Sequence, residues 1–155
     1  MTLSTPASTS FPAGQDALPA VATKALTCRF GDVHAVEKVD LVIPAGSICG
    51  LLGPDGAGKS TLIRMLATVQ RPTSGDADVF GASVRHAPGR VTPRLGYMSQ
   101  RFSMYPDLTV AENIDFFATI RGVGREQRRT RAHDLLVSMG LDEFAGRQAG
   151  KLSGA

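Results

Sequence analysis

The sequence predicts an α/β fold, strands first and helices second, on three observations. The run Gly53-Pro54-Asp55-Gly56-Ala57-Gly58-Lys59-Ser60-Thr61 stands between an apolar run, Ser47 to Leu52, and an amphipathic run, Leu62 to Leu66. Apolar residues before it recur with a period near two, and beyond Gln100 the period changes to 3.6. Thr109-Val110-Ala111-Glu112 has the form of a capping box, in which a hydroxyl and a carboxylate satisfy the free backbone donors at a helix start.

Each element follows in chain order. Met1 to Ala20 is rich in Ser, Thr, Pro and Ala, with neither a basic start nor an apolar core, and reads as a disordered tail rather than a secretory signal. Ala22 to Phe30 reads as extended. Val39, Leu41 and Ile43 alternate with Lys38, Asp40 and Val42, the pattern of a half-buried strand. Pro44-Ala45-Gly46 is a turn. Ser47 to Leu52 reads as a buried strand that takes Cys49 inward. A helix is expected from the glycine run to about Val69, where Arg71-Pro72-Thr73-Ser74-Gly75 breaks it. Asp78 to Gly81 is a short strand and turn, and Arg94 to Gln100 a further strand.

A helix opens at Thr109 with Val110, Ile114, Phe117 and Arg121 on one side, and Gly122 closes it. A second carries Ala132, Leu135, Leu136 and Met139 as its stripe and is closed by Gly140. Arg125, Arg128 and Arg129 fall near that stripe. With the first turns overhanging the core, they are expected to reach solvent. Residues 21–100 thus form a strand-rich core and 101–155 a helical subdomain.

Composition narrows the class. The 155 residues are 43% hydrophobic and 20% charged, with net charge +3, a balanced soluble surface for which no nucleic-acid partner is expected. Cys28 and Cys49 read as packed free thiols. His34, His86 and His133 show no metal-ligand spacing. No apolar stretch reaches the roughly 18 residues needed to cross a bilayer.

The glycine run fits G-x-x-x-x-G-K-[ST], the phosphate-binding loop. Backbone N–H groups can surround phosphate oxygens only where no Cβ intrudes, a condition that Gly53, Gly56 and Gly58 meet. Lys59 brings an ammonium to the terminal phosphates, Ser60 offers a hydroxyl to Mg²⁺, and the start of the next helix adds a positive field.

Five segments in order, Phe30-Gly31, Gly50 to Thr61, Gly96 to Gln100, Tyr105 to Val110 and Gly150 to Gly154, resemble the nucleotide-binding domain of ABC transporters. The phrasing is most similar to the ATP-binding subunits of ABC-2-type multidrug efflux exporters, with Asp55 where most relatives carry Asn. The resemblance runs from about Ala22 to Ala155. It implies a P-loop NTPase fold, a RecA-like core with an antiparallel β subdomain and the start of a helical subdomain. The domain is incomplete, because the chain stops inside the signature segment.

The same resemblance implies the site. ATP and Mg²⁺ are the cofactors. Phe30 stacks on adenine, and Gly53, Pro54, Asp55, Gly56, Ala57, Gly58, Lys59, Ser60 and Thr61 cradle the phosphates. Lys59 and Gln100 take catalytic roles, and Ser60 and Gln100 face the metal. Ser153 and Gly154 reach a nucleotide on a second nucleotide-binding domain, head to tail, and Ala155 stands where the family has a second glycine. A membrane permease subunit is the implied partner, at the cytoplasmic face of the membrane. Phe102, Met104 and Tyr105 either form an apolar contact patch for it or pack inward.

The Walker B strand, D-loop and switch histidine of intact relatives do not appear before Ala155. The 155 residues alone are therefore expected not to turn over ATP, and to leave strand edges unpaired. Two other readings stay open: a catalytically inactive nucleotide-binding fragment, and a soluble ribosome-associated ATPase of the same superfamily. A kinase or GTPase would leave the Gln100 and Ser153 segments unexplained.

Overall fold

The computed structural model describes residues 18–100 and 104–152. They fall into two compact units, and the chain passes from one to the other between Tyr97 and Met98. No helix among the described residues is long and apolar enough to cross a membrane.

The first unit is an antiparallel sheet with two helices. Strands β1 (Val21–Phe30), β2 (Val33–Ile43), β3 (Ser74–Val79) and β4 (Ala82–Ser83) lie in the order β2-β1-β3-β4. The alternation expected around Leu41 is present, and the strand begins earlier, at Val33. β1 and β2 do not run in simple register. The pairing slips between Thr23 and Leu26, and Ala25 and Lys38 take positive φ. Side chains satisfy the backbone there. Thr27 Oγ1 accepts the Lys38 N–H at 3.0 Å and donates to the Ala25 carbonyl at 3.1 Å. Thr23 Oγ1 donates to the Val39 carbonyl at 2.8 Å. Such bulges bend a sheet and raise its twist.

One sheet face packs on Leu62 and Met65 of α1 (Lys59–Leu66) and on Val91 of α2 (Pro88–Val91). Leu26, Cys28, Val36, Ala77 and Val79 complete this core. Burial pushes the Cys28 thiol pKa up and keeps it neutral.

Four expectations are corrected within residues 18–100. Ser47 to Leu52 forms no strand. Ile48 and Leu52 are exposed, Cys49 is exposed rather than packed, and only Leu51 leans on the core. A strand of this kind needs hydrogen-bonded neighbours along its edges and covering layers on both faces, and no described strand pairs with it. Leu95 to Gln100 is irregular for the same reason, following a 3₁₀ turn at Thr92–Arg94, with Met98 open to solvent. The helix after the glycine run stops at Leu66. Thr68 takes φ +61°, its N–H bonds the Met65 carbonyl at 3.0 Å, and the Val69 N–H bonds the Arg64 carbonyl at 2.9 Å. That is a Schellman closure with threonine in the usual glycine position. Ala20, read as tail, accepts the Phe80 N–H at 2.9 Å; the rest of the tail up to residue 17 lies outside the described residues.

The second unit contains α3 (Val110–Ile120) and α4 (Arg125–Ser138), with 3₁₀ turns at Asp142–Phe144 and Ala149–Lys151. The capping box is formed in full. The Glu112 N–H reaches Thr109 Oγ1 at 3.2 Å, and Glu112 Oε2 accepts the Thr109 N–H at 2.8 Å. Gly122 and Gly140 close the two helices, the Val123 N–H bonding the Ala118 carbonyl and the Leu141 N–H the Leu136 carbonyl.

The buried faces differ from those expected. On α3, Asn113 is fully buried, whereas Phe117 is 41% exposed. On α4, Leu136 is buried while Leu135 and Met139 are exposed, so the inward stripe runs Arg128, Ala132, Leu136. Arg128 does not reach solvent as expected. Its Nε lies 2.9 Å from Asp115 Oδ1 and its Nη1 donates to Thr119 Oγ1 at 2.6 Å.

Candidate functional site

The glycine run forms a turn that leads directly into α1. Gly58, the residue before the helix, has φ +87°. A β-carbon there would stand 2.1 Å from the Ala35 carbonyl oxygen and 3.2 Å from Val36 Cγ2. Gly58, expected to permit close phosphate approach, also docks the loop on β2. Gly53 and Gly56 also take positive φ, and a β-carbon at Gly56 would meet no atom within 4 Å. Freedom of the main chain, rather than crowding, explains glycine at position 56.

Lys59 is the first residue of α1, and its side chain turns back over the loop. Its ammonium donates to the carbonyls of Gly53 and Pro54, each at 2.7 Å. Cation and loop backbone thus converge on the start of a helix, where unpaired N–H groups already favour anions. Ser60 follows and is exposed; Thr61 is partly buried. Pro54 and Asp55 are exposed on the loop, and Pro54 also accepts the Ala57 N–H at 3.3 Å. Among the described residues no group of His, Cys, Asp or Glu could hold a metal ion by itself.

Phe30 ends β1, pairs with Val33, and is 49% exposed. Ala35, on which Gly58 docks, lies two residues along β2 from Val33, about 7 Å at strand rise. The open aromatic ring and the loop's base therefore belong to the same end of the hairpin.

Gln100 is exposed at a bend in the second unit. Ser153 and Gly154, and Phe102 of the contact patch, lie outside the described residues. Tyr105 neither packs fully inward nor stands alone. It is 49% exposed, and its ring meets Phe116 edge-on, with centroids 4.9 Å apart. Met104 is partly buried.

Sequence reasoning passed over Asn113. It does stand on the inward stripe of α3, three residues from Val110, and a polar residue at a buried helical position is a signal of hydrogen bonding. The backbone of Ala35, which shapes the loop, leaves no mark in side-chain identity.

The family model described as "ABC transporter" matches residues 36–155. The chain is 48% identical over 123 residues to the probable multidrug ABC transporter ATP-binding protein YbhF of Escherichia coli (strain K12), covering 79% of this chain and 21% of that protein. It is 39% identical over 135 residues to the daunorubicin/doxorubicin resistance ATP-binding protein DrrA of Streptomyces peucetius, covering 87% of this chain and 41% of DrrA. The chain thus spans well under half the length of these relatives. Among solved structures it resembles a dimeric post-hydrolysis state of the ATP-binding cassette MJ0796 bound to ADP and Pi, with a TM-score of 0.74 at 27% identity, over 86% of this chain and 63% of that one. The matched range takes in both the docked loop and the helical unit, and on that ground the chain belongs to the ABC transporter family, as part of its ATP-binding domain.

Proposed function

We propose that this chain is the N-terminal portion of the ATP-binding subunit of an ABC exporter, and that its glycine loop holds MgATP. One observation carries the reading: the loop is docked on β2 through Gly58, with the Lys59 ammonium folded across it at the start of α1. The backbone N–H groups take phosphate oxygens, and Lys59 neutralises the terminal phosphates. Phe30 supplies the stacking face for the base.

The residues fit Mg²⁺. That ion keeps several waters and takes phosphate oxygens, so it needs few protein donors. Ser60, exposed at the start of α1, offers a hydroxyl beside the loop. Held there, Mg²⁺ would supply positive charge against the phosphates. Gln100 serves as the metal-facing group that also orients water, and Ser153 and Gly154 serve a nucleotide on a second domain.

The exporter assignment rests on the drug-resistance relatives. The partners proposed are a membrane permease subunit and a second ATP-binding domain, at the cytoplasmic face of the membrane. In the whole subunit, MgATP binding and hydrolysis drive the permease. Replacing Lys59 by Ala should weaken MgATP binding by roughly 10- to 100-fold, the worth of a charge-assisted hydrogen bond. Unchanged affinity in a folded variant, measured by calorimetry, would remove the proposal.

A further inference from the structure

Asn113 is fully buried on α3, and its carboxamide is bonded entirely to one loop. Its Oδ1 accepts the Tyr105 N–H at 2.8 Å. Its Nδ2 faces three carbonyls, those of Tyr105 at 3.0 Å, Leu108 at 3.3 Å and Thr109 at 3.0 Å. Both ends of the amide are therefore used, and the Tyr105 to Thr109 backbone is fixed to the first turn of the helix.

That loop is also bonded to a segment 40 residues later. The Ala149 N–H donates to the Leu108 carbonyl at 2.8 Å, and the Gly150 N–H to the Pro106 carbonyl at 3.0 Å. Gln148 Nε2 donates to the Asp107 carbonyl at 3.3 Å. In return, the Val110 and Ala111 N–H groups, which a helix start leaves without internal partners, bond the carbonyls of Arg147 and Ala145, each at 3.0 Å. The fit leaves no slack at Gly150, where a β-carbon would stand 2.9 Å from Pro106 Cβ.

We propose that Asn113 is a positioning residue that locks the Tyr105–Thr109 loop and the Ala145–Gly150 segment into one body, so that a displacement of the loop is carried to the segment that precedes Ser153 in the chain. The Leu108 carbonyl is the shared joint, accepting from Asn113 on one side and Ala149 on the other. The functional half of this inference rests on the reading of Ser153 as a nucleotide contact. The mechanical half stands without it.

The test is residue-resolved amide hydrogen exchange on the full chain. Asn113→Leu keeps the branching and the number of side-chain heavy atoms and removes every carboxamide bond. The expected result is exchange at least about tenfold faster at Tyr105, Ala149 and Gly150 together, with protection at Leu136 and Met139 on α4 unchanged. Loss confined to Tyr105 would overturn the lock. Should Asn113→Leu loosen the whole helical unit, Gly150→Ala decides. Its added methyl meets Pro106 at the far end, and it must raise exchange at Tyr105, while unchanged Tyr105 protection refutes the proposal. MgATP affinity of the same variants, read at the glycine loop, should stay at the unmodified chain's value. If the unmodified chain binds no nucleotide, the function proposed above fails, while the exchange pattern still judges the lock.

Discussion

The carbonyl oxygen of Ala35 stands where Gly58 has room for nothing but hydrogen, 2.1 Å from the place a β-carbon would occupy. Neither residue is charged, yet this contact sets the position of the loop that precedes Lys59. Replacing Gly58 by Ala must displace the loop or part it from β2, at φ +87° where an L side chain is already strained. The expected cost is about 2 kcal/mol or more of unfolding free energy in urea denaturation, with MgATP binding lost alongside. Wild-type stability in the variant would mean the docking is not needed.

Phe30→Ala should separate base from phosphate. The ring is half exposed at the end of β1, so its loss should cost little stability. ATP affinity should fall by about 1–3 kcal/mol, the worth of an aromatic–base stack, while inorganic triphosphate should bind as before. Equal losses for both ligands would show that Phe30 acts through the fold.

The capping box gives a pH signature. The backbone N–H of Thr109, and then its hydroxyl, hold the Glu112 carboxyl below the usual carboxylate range. A lowered folded pKa means that the contribution is fully present above the ordinary value and lost as pH falls through the lowered one. The stability difference between the unmodified chain and Glu112→Gln should be flat above about pH 5 and shrink in acid. Thr109→Ala should cost about 1 kcal/mol at neutral pH. A difference that grows on acidification would contradict the assignment.

Arg128 and Asp115 should respond unequally. Arg128 is 17% exposed in its side chain and Asp115 58%. Water screens the carboxylate, so Asp115→Asn should cost under about 1 kcal/mol. Arg128→Ala also loses the Thr119 bond and the packing of its stem, and should cost about 1–2 kcal/mol. Equal costs in chemical denaturation would mean that the ion pair alone matters.

Much of this arrangement was legible in residue order. Capping at Thr109 and closure at Gly122 and Gly140 depend on local chemistry, and they appear where the sequence places them. The glycine loop and the alternation around Leu41 in β2 were legible for the same reason. Ser47 to Leu52 and Arg94 to Gln100 were misread because a buried-strand pattern reports a preference for neighbours, not their presence. The face of α4 was misread because Arg128 stands inside, paired, at a place where charge normally argues for solvent. Asn113 went unnoticed because its partners are backbone groups, which have no letter of their own.

The docking of Gly58 on Ala35 also bears on the order of synthesis. Ribosomes deliver chains from the amino end, and compact units acquire structure as they emerge. Ala35, Val36 and the apolar side chains packed beneath α1, as far as Leu95, all precede Tyr97. Every described support of the glycine loop is therefore translated before the first residue of the helical unit.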